Sequence, residues 1–392
     1  MKILILGGSG NAGFTVARYL LAHTREQLIL ASRRMDICSA QAAWLNSRFG
    51  EGRVACITAD AADRKSLIAA FSQAKLVIIA SSTSVYAENI AFAALHAGVD
   101  LLDMSQATPE KYAVYERLAP IAAETSRLFL LDAGLHPGMP AVLARYTANW
   151  LDVPEEIHIA ASMQVNWRSL QLERATMREF TREMRHFEPS YYEDGAWIND
   201  MERRPEFQFT QSQNSRPCTP MMLEELRDLP QNINGLRSIG FYMAGFNPVV
   251  DKYILPAVWT GQKVLPRLTE GLLSRMLHWG LSRFTDGPYL TEVMAVSRGI
   301  RRGSERLLKV SVAHPNAYAL TAASVVACVR QYLEMKDKPA GVFLQGQWVD
   351  PVVYLEDLNA MHMKVQILLD NEPRSIHPPR TRRTREWTPN PL

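Results

Sequence analysis

The chain has 392 residues, of which 47% are hydrophobic and 21% charged, a balance that argues against a disordered or fibrous protein and makes two compact domains the expectation. Its formal charge of +3 owes much to Arg374, Arg380, Arg382, Arg383 and Arg385 near the C-terminus, so the body is close to neutral and a nucleic-acid partner is not expected. Cys38, Cys56, Cys218 and Cys328 are far apart and form no CxxC pair, which signals neither a disulfide framework nor a thiolate metal site, and no apolar run has the length of a membrane span; a cytoplasmic protein is expected.

Up to Gly134, short apolar runs alternate with helical periodicity, the rhythm of repeated βαβ units around a parallel sheet. Strands are expected at Lys2–Leu6, Leu28–Ala31, Val54–Thr58, Lys75–Ala80, Leu101–Met104 and Leu128–Leu131, with helices such as Ala91–Ala97 and Lys111–Glu124 between them. After Pro140 the alternation is lost. A strand is expected at Glu156–Val165, a charged helix at Ser169–His186, then a loop-rich stretch to Pro230. An amphipathic helix follows at Leu265–Phe284, with Leu265, Leu268, Leu272, Met276 and Leu281 on one face. Leu290–Ser297 and Leu307–Val312 read as a hairpin around Arg298–Gly303, and helices are expected at Ala317–Glu334 and Leu355–Leu369.

The expected fold class is α/β: a doubly wound parallel-sheet Rossmann domain at residues 1–140, then an α+β substrate and dimerisation domain at 141–335. A closing segment at 336–372 would pack back on the body, and 373–392 would be a flexible basic, proline-rich tail.

Gly8-Ser9-Gly10-Asn11-Ala12-Gly13, preceded by Gly7, is a GxGxxG directly after the first strand and at the opening of a helix. The first glycine permits a tight turn, the second lets backbone approach a pyrophosphate, and the third lets the helix sit close on the strand, while the helix N-terminus offers unpaired amides. An acidic residue at the end of strand two would select NAD. Here Ser32, Arg33 and Arg34 stand there instead, a hydroxyl and two guanidinium groups suited to the 2′-phosphate of NADP, so NADP is expected over NAD. Asp60 could accept from the adenine amino group or cap the helix that begins near Asp63. Ala80, Ser81 and Ser82, after strand four, should pass the ribose next to the nicotinamide.

Beyond the loop, the succession GGSGNAG, ASRR, TADAAD, KLVIIASS, HAGVDLLDMS and LLDAGLHPGMP resembles the cofactor domain of the saccharopine dehydrogenase family. Ala97–Ser105 is similar to that family's fifth strand and Gly134–Gly138 to the segment leaving its sixth. Pro288–Ala323 and Pro339–Val342 are similar to parts of its second domain, while residues 151–287 carry no such likeness. The resemblance implies hydride transfer between NAD(P)H and a carbon–nitrogen bond, joining or splitting an amino acid and a carbonyl compound. A small-molecule substrate is expected, and packing within the second domain or a homodimer interface is expected of the amphipathic helix.

Ligands of an open parallel sheet bind outside the carboxyl ends of its strands, which singles out Asp103, Ser105, Asp132 and His136. Ser105 is expected at the cofactor. Reduction of an imine needs a proton for nitrogen, which His136 or a buried Asp103 could handle; capping or loop hydrogen bonding is the plain alternative for Asp103, and a structural role at the start of a helix the stronger alternative for His136. Tyr318 and His314, from the second domain, could close over the substrate, with core packing the plain alternative for an aromatic near a helix start. Tyr332 and Lys336 match a YxxxK spacing, but in a charged helix end far from that motif's usual place, so the match is read as accidental. No metal motif is present. Two rival readings stand: an NADP-binding sensor without turnover, and an enoyl or ketone reductase for an apolar substrate, the latter suggested by Trp279, Arg267, Arg275 and Arg283 on the amphipathic helix.

Overall fold

The computed structural model describes residues 1–105, 108–170, 174–378 and 391–392. Two compact units emerge, neither continuous in sequence. The first contains Met1–Val142 and Tyr318–His362 with Pro391 and Leu392; the second contains Leu143–Ala317 and residues 363–378. Residues 318–335, expected in the second domain, therefore belong to the first unit.

The chain opens with β1 (Lys2–Leu6), α1 (Asn11–His23), β2 (Gln27–Ser32), α2 (Met35–Phe49), β3 (Val54–Thr58) and α3 (Arg64–Phe71). It continues through β4 (Leu76–Ile79), α4 (Ala87–Ala97), β5 (Asp100–Asp103), α5 (Pro109–Glu124), β6 (Leu128–Leu131) and α6 (Met139–Ala148). The second unit supplies β7 (Val153–Gln164), α7 (Arg174–Glu183), β8 (Ser190–Glu193), β9 (Ala196–Asn199), β10 (Glu206–Gln208) and β11 (Ser215–Pro220). Then follow α8 (Leu229–Asn232), β12 (Ser238–Ala244), α9 (Leu255–Val264), α10 (Pro266–Phe284), β13 (Leu290–Arg301) and β14 (Ser304–His314). The chain returns to the first unit with α11 (Ala317–Glu334), β15 (Gly341–Leu344), α12 (Gln345–Trp348) and α13 (Pro351–Ala360), and ends its regular structure with β16 (Lys364–Leu369) and β17 (Glu372–Pro373).

The first unit is a seven-stranded sheet in the order β15-β6-β5-β4-β1-β2-β3, every pairing parallel. Strands covered on both faces read as unbroken apolar runs, which is why LVII of β4 and LFLL of β6 are entirely buried. Leu4, Val77, Leu101 and Phe129 pack against Ile90 and Ala94 of α4 and Tyr115 of α5, each buried apolar side chain contributing roughly 1.5–3 kcal/mol. Because β1 pairs with both β2 and β4, the connections leaving β1 and β4 diverge and open a crevice at their carboxyl ends. β15 is a seventh strand that the sequence reading placed only in a closing segment.

In the second unit a ten-stranded sheet runs β10-β11-β12-β7-β13-β14-β16-β17, with β8 and β9 joined through β12. β13 and β14 form a hairpin longer than expected. Arg301 pairs with Ser304 across the two-residue turn Arg302-Gly303, both at positive φ (51° and 76°), as the right-handed twist of a tight hairpin favours.

Three sequence expectations are corrected here. The loop-rich stretch up to Pro230 also carries four strands, β8 paired with β9 and β10 with β11 in local hairpins; each is only three to six residues long, too short for its alternation to stand out. Leu355–Leu369 is not one helix: α13 ends at Ala360, His362 takes a φ of 63°, and Lys364–Leu369 pairs with β14. On α10 the buried stripe is Leu273, Leu277 and Leu281, packed with Val250, Ile254 and Val258, while Leu265 and Leu272 are more than half exposed. Both stripes have helical spacing, and the packing of residues 250–258 decides between them. The charged helix is shorter than expected, with residues 171–173 outside the described residues. Most of the basic tail, residues 379–390, also lies outside them; ahead of it, Arg374 N–H donates to Ile367 O at 2.9 Å.

Candidate cofactor and active site

The glycine loop is shaped by contacts that leave no room for side chains. Gly7 takes a φ of +83°, and a Cβ on it would lie 2.6 Å from Ser81 Cβ, so the ends of β1 and β4 touch. At Gly13 a Cβ would sit 2.3 Å from Gly7 O, so α1 starts hard against the loop. Gly10 is different: a Cβ there would meet a single atom within 4 Å, Gly7 O at 3.3 Å, which leaves that face open to a ligand. The loop amides of Gly7 and Gly8 bond to Ala31 O at 2.9 and 3.3 Å, and Gly10 N–H to Gly7 O at 2.9 Å. The first intrahelical bond of α1 is Phe14 N–H to Gly10 O at 2.8 Å and no side chain caps the helix, so Ala12 and Gly13 present first-turn amides toward an anion.

Ser9 and Ser32 bring the loop and the end of β2 together, their hydroxyl oxygens 2.6 Å apart; Ser32 Oγ also accepts Arg34 N–H at 3.1 Å. Arg33 and Arg34 are exposed at this corner. The two hydroxyls thus meet where the loop reaches β2, and the two exposed arginines follow Ser32 directly in the chain, residue types suited to a phosphate monoester.

Asp60 Oδ1 accepts Ala62 N–H at 3.0 Å and so shapes its own turn, while Asp63 caps α3. After β4, Ala80 N–H bonds to Leu6 O at 2.9 Å, and Ser81 Oγ lies 3.1 Å from Thr83 Oγ1; Ser82, like them, is half-buried.

Asp103 and Ser105, at the end of β5, are held by a partner that sequence reading missed. Lys111 Nζ lies 2.7 Å from Asp103 Oδ2 and 2.8 Å from Ser105 Oγ. Asp103 Oδ1 accepts Ser105 N–H at 3.0 Å and Ser105 O–H at 2.7 Å, and Tyr115 O–H approaches Oδ2 at 3.4 Å. Burial, and then the neighbouring Asp103 carboxylate, push the Tyr115 phenol well up. Both Asp103 oxygens are therefore engaged inside the protein. The available signal was the i, i+8 spacing of an aspartate and a lysine across a short loop, which many unrelated pairs share.

At the end of β6, Asp132 is buried at a φ of 52° and accepts from Tyr112 O–H. His136 is half-buried, and burial lowers its imidazole from the ordinary range. The turn that carries it is pinned from behind by enclosed groups absent from the sequence reading: Ser324 O–H donates to Gly134 O at 2.5 Å, Gln345 Nε2 donates to Ser324 Oγ at 3.1 Å, and Tyr354 O–H to the same oxygen at 2.6 Å. A Cβ on Gly138 would lie 2.7 Å from Gln345 Nε2, so the turn has no slack.

Tyr318 lies in the first unit, where its hydroxyl hydrogen-bonds Asn11 of the glycine loop. The structure thus brings it to the cofactor end of the sheet. His314 bonds instead to its neighbour Asn316, accepting its N–H at 3.0 Å. Tyr332 donates to Asp100 Oδ2 at 2.7 Å, at the amino end of β5, opposite the crevice, which supports reading its YxxxK match as accidental. Among the described residues no group of three His, Cys, Asp or Glu side chains is placed to hold a metal ion, and no helix is long and apolar enough to cross a membrane.

Residues 3–127 match the family described as "Saccharopine dehydrogenase NADP binding domain". No curated protein matches the sequence. Among solved structures, apo saccharopine dehydrogenase (L-Glu forming) from Saccharomyces cerevisiae superposes with a TM-score of 0.65 at 13% identity, covering 94% of this chain and 99% of that one. A C. glutamicum DAP dehydrogenase in complex with DAP gives a TM-score of 0.47 at 14% identity, over 92% of this chain and 98% of that one. The yeast structure shows a shared fold. Residues 3–127 thus form a domain of the saccharopine dehydrogenase NADP-binding type, and the chain shares the fold of saccharopine dehydrogenase over 94% of its length.

Proposed function

We propose that the protein transfers hydride between NADPH and the C=N or C–N bond of a small substrate derived from an amino acid or an amine. The observation that carries this reading is the contact of Ser9 with Ser32 at the glycine loop, with the exposed Arg33 and Arg34 next in the chain where NAD-binding domains carry an acidic residue, which favours a 2′-phosphate and hence NADP over NAD. Gly10, Asn11, Ala12 and Gly13 would hold the pyrophosphate, and Ala80, Ser81 and Ser82 would border the nicotinamide ribose. Bound NADPH supplies the hydride, and bound NADP accepts one.

The proton that nitrogen gains or loses falls to a side chain at the carboxyl ends of β5 and β6. We assign it to His136, whose burial keeps the imidazole neutral near pH 7 and so fits it to take a proton from an amine. Asp103 becomes a positioning residue in this scheme, and Tyr318 steadies Asn11. A homodimer in the cytoplasm belongs to the same proposal; the exposed Leu272 and Trp279 of α10 give a second copy an apolar face.

The test is consumption of NADPH, followed by nicotinamide absorbance, across paired amines and keto acids. Turnover with at least one pair is expected. The enclosure of Asp103 favours a second reading, NADP binding without chemistry, which tight NADPH binding and no turnover across the whole panel would establish instead.

A further inference from the structure

The fold joins two cysteines that sequence spacing kept apart. Cys38, in the first turns of α2, is fully enclosed, and Cys56, in the edge strand β3, is half-buried. Cys56 stands beside Leu30 in the parallel β2–β3 register, and the Cys38 thiol lies 3.4 Å from Leu30 O and 2.7 Å from Cys56 Sγ. A disulfide has an S–S length of about 2.05 Å, so closure needs a shift of well under about 1 Å. Helix and strand are clamped at this spacing: Asn46 Nδ2 donates to Val54 O at 2.9 Å, and Val54 N–H donates to Asn46 Oδ1 at 2.8 Å. Cys56 borders an open pocket of about 360 Å³ whose walls include Ser39, Asn46 and Glu51, which gives a small solute a route to its sulfur.

We propose that Cys38 and Cys56 form a reversible dithiol–disulfide modification site, oxidised by small hydroperoxides. Cys56, the accessible partner, attacks the peroxide; the O–O bond breaks, the terminal oxygen remains on sulfur as a sulfenic acid, and the other leaves with the Cys56 proton, as water from hydrogen peroxide or as the alcohol from an organic hydroperoxide. Cys38 sulfur then attacks Cys56 sulfur, the S–O bond breaks, and the oxygen departs as water with the Cys38 proton. Two thiols lose two electrons and one peroxide gains them. Burial, then the hydrogen bond to Cys56, raise the Cys38 thiol, so it waits protonated until the sulfenic acid forms beside it. An added dithiol reverses the bond by exchange. The site lies one helical turn beyond Arg34, whose carbonyl accepts Cys38 N–H at 3.1 Å.

The experiment treats the reduced protein with hydrogen peroxide, removes the peroxide, denatures the protein in the presence of an alkylating agent so that all four thiols are reachable, and analyses intact mass and peptides. The expected result is a loss of about 2 Da, protection of two of the four thiols from alkylation, and a Cys38–Cys56 linked peptide that dithiothreitol removes. Cys56→Ser and Cys38→Ala should each abolish the link. Cys218→Ser/Cys328→Ser should retain it, and this variant decides the matter if Cys38→Ala fails to fold. Full alkylation of Cys38 and Cys56 after peroxide, over-oxidation of Cys56 with no link, or a bond between two copies would overturn the proposal. None of these readouts depends on NADP binding or turnover.

Discussion

Lys111 and Asp103 form an enclosed ion pair, with Nζ 2.7 Å from Oδ2 and neither side chain more than 2% exposed. A buried charge left alone is far costlier than the pair itself is stabilising. We therefore predict that Lys111→Met lowers stability by about 3–5 kcal/mol, whereas Lys111→Met combined with Asp103→Leu recovers most of the loss. Urea denaturation checks both; a single variant as stable as the parent would refute the pairing.

Gly13→Ala is predicted to cost about 1–3 kcal/mol and to weaken NADPH strongly, because its Cβ would lie 2.3 Å from the backbone oxygen of Gly7. Gly52→Ala is the control for added bulk, with nothing within 4 Å of its Cβ, although its φ of +74° carries a small strain of its own. Comparable losses of NADPH affinity in the two variants would contradict the role given to the loop.

How legible the molecule was in its sequence followed the range of the interactions involved. β1 to β6 could be read because strands covered on both faces are continuous apolar runs, and the glycine loop because its chemistry is local. Lys364–Leu369 was mistaken for helix because KVQILL fits two periods and only β14, some fifty residues earlier, makes it a strand. The same holds around the crevice: the place of Ser32 and Arg33 at the end of β2 was legible from position, while the Lys111 pair and the Ser324–Gln345–Tyr354 support of the His136 turn depend on contacts across the fold.

His136→Phe should reduce turnover by about 10²–10⁴-fold with NADPH affinity unchanged. Burial sets its imidazole below the ordinary 6.5, so amine oxidation should be flat above about pH 6.5 and fall on the acid side as the ring is protonated. A pH profile that keeps its acid limb in His136→Phe would move the proton transfer elsewhere.

In the second unit, His158 Nε2 lies 2.9 Å from Ser238 Oγ, and burial pushes the imidazole down to about 4. The unfolded chain takes up this proton near pH 6.5 and the folded chain only near 4, so the stabilising contribution is complete above 6.5 and is lost as pH falls. At pH 5 the loss is about 2 kcal/mol relative to pH 7. His158→Gln should remove that share of the pH dependence in urea denaturation, and an unaltered dependence would contradict it.

NADP selection is decided at the corner where the glycine loop meets the end of β2. Titration of the purified protein and of Arg33→Ala with NADPH and NADH tests it most directly: the variant should lose about tenfold or more for NADPH, and little for NADH, as removal of a charge-assisted phosphate contact requires. Equal losses for the two coenzymes, or parent protein that binds neither, would contradict it.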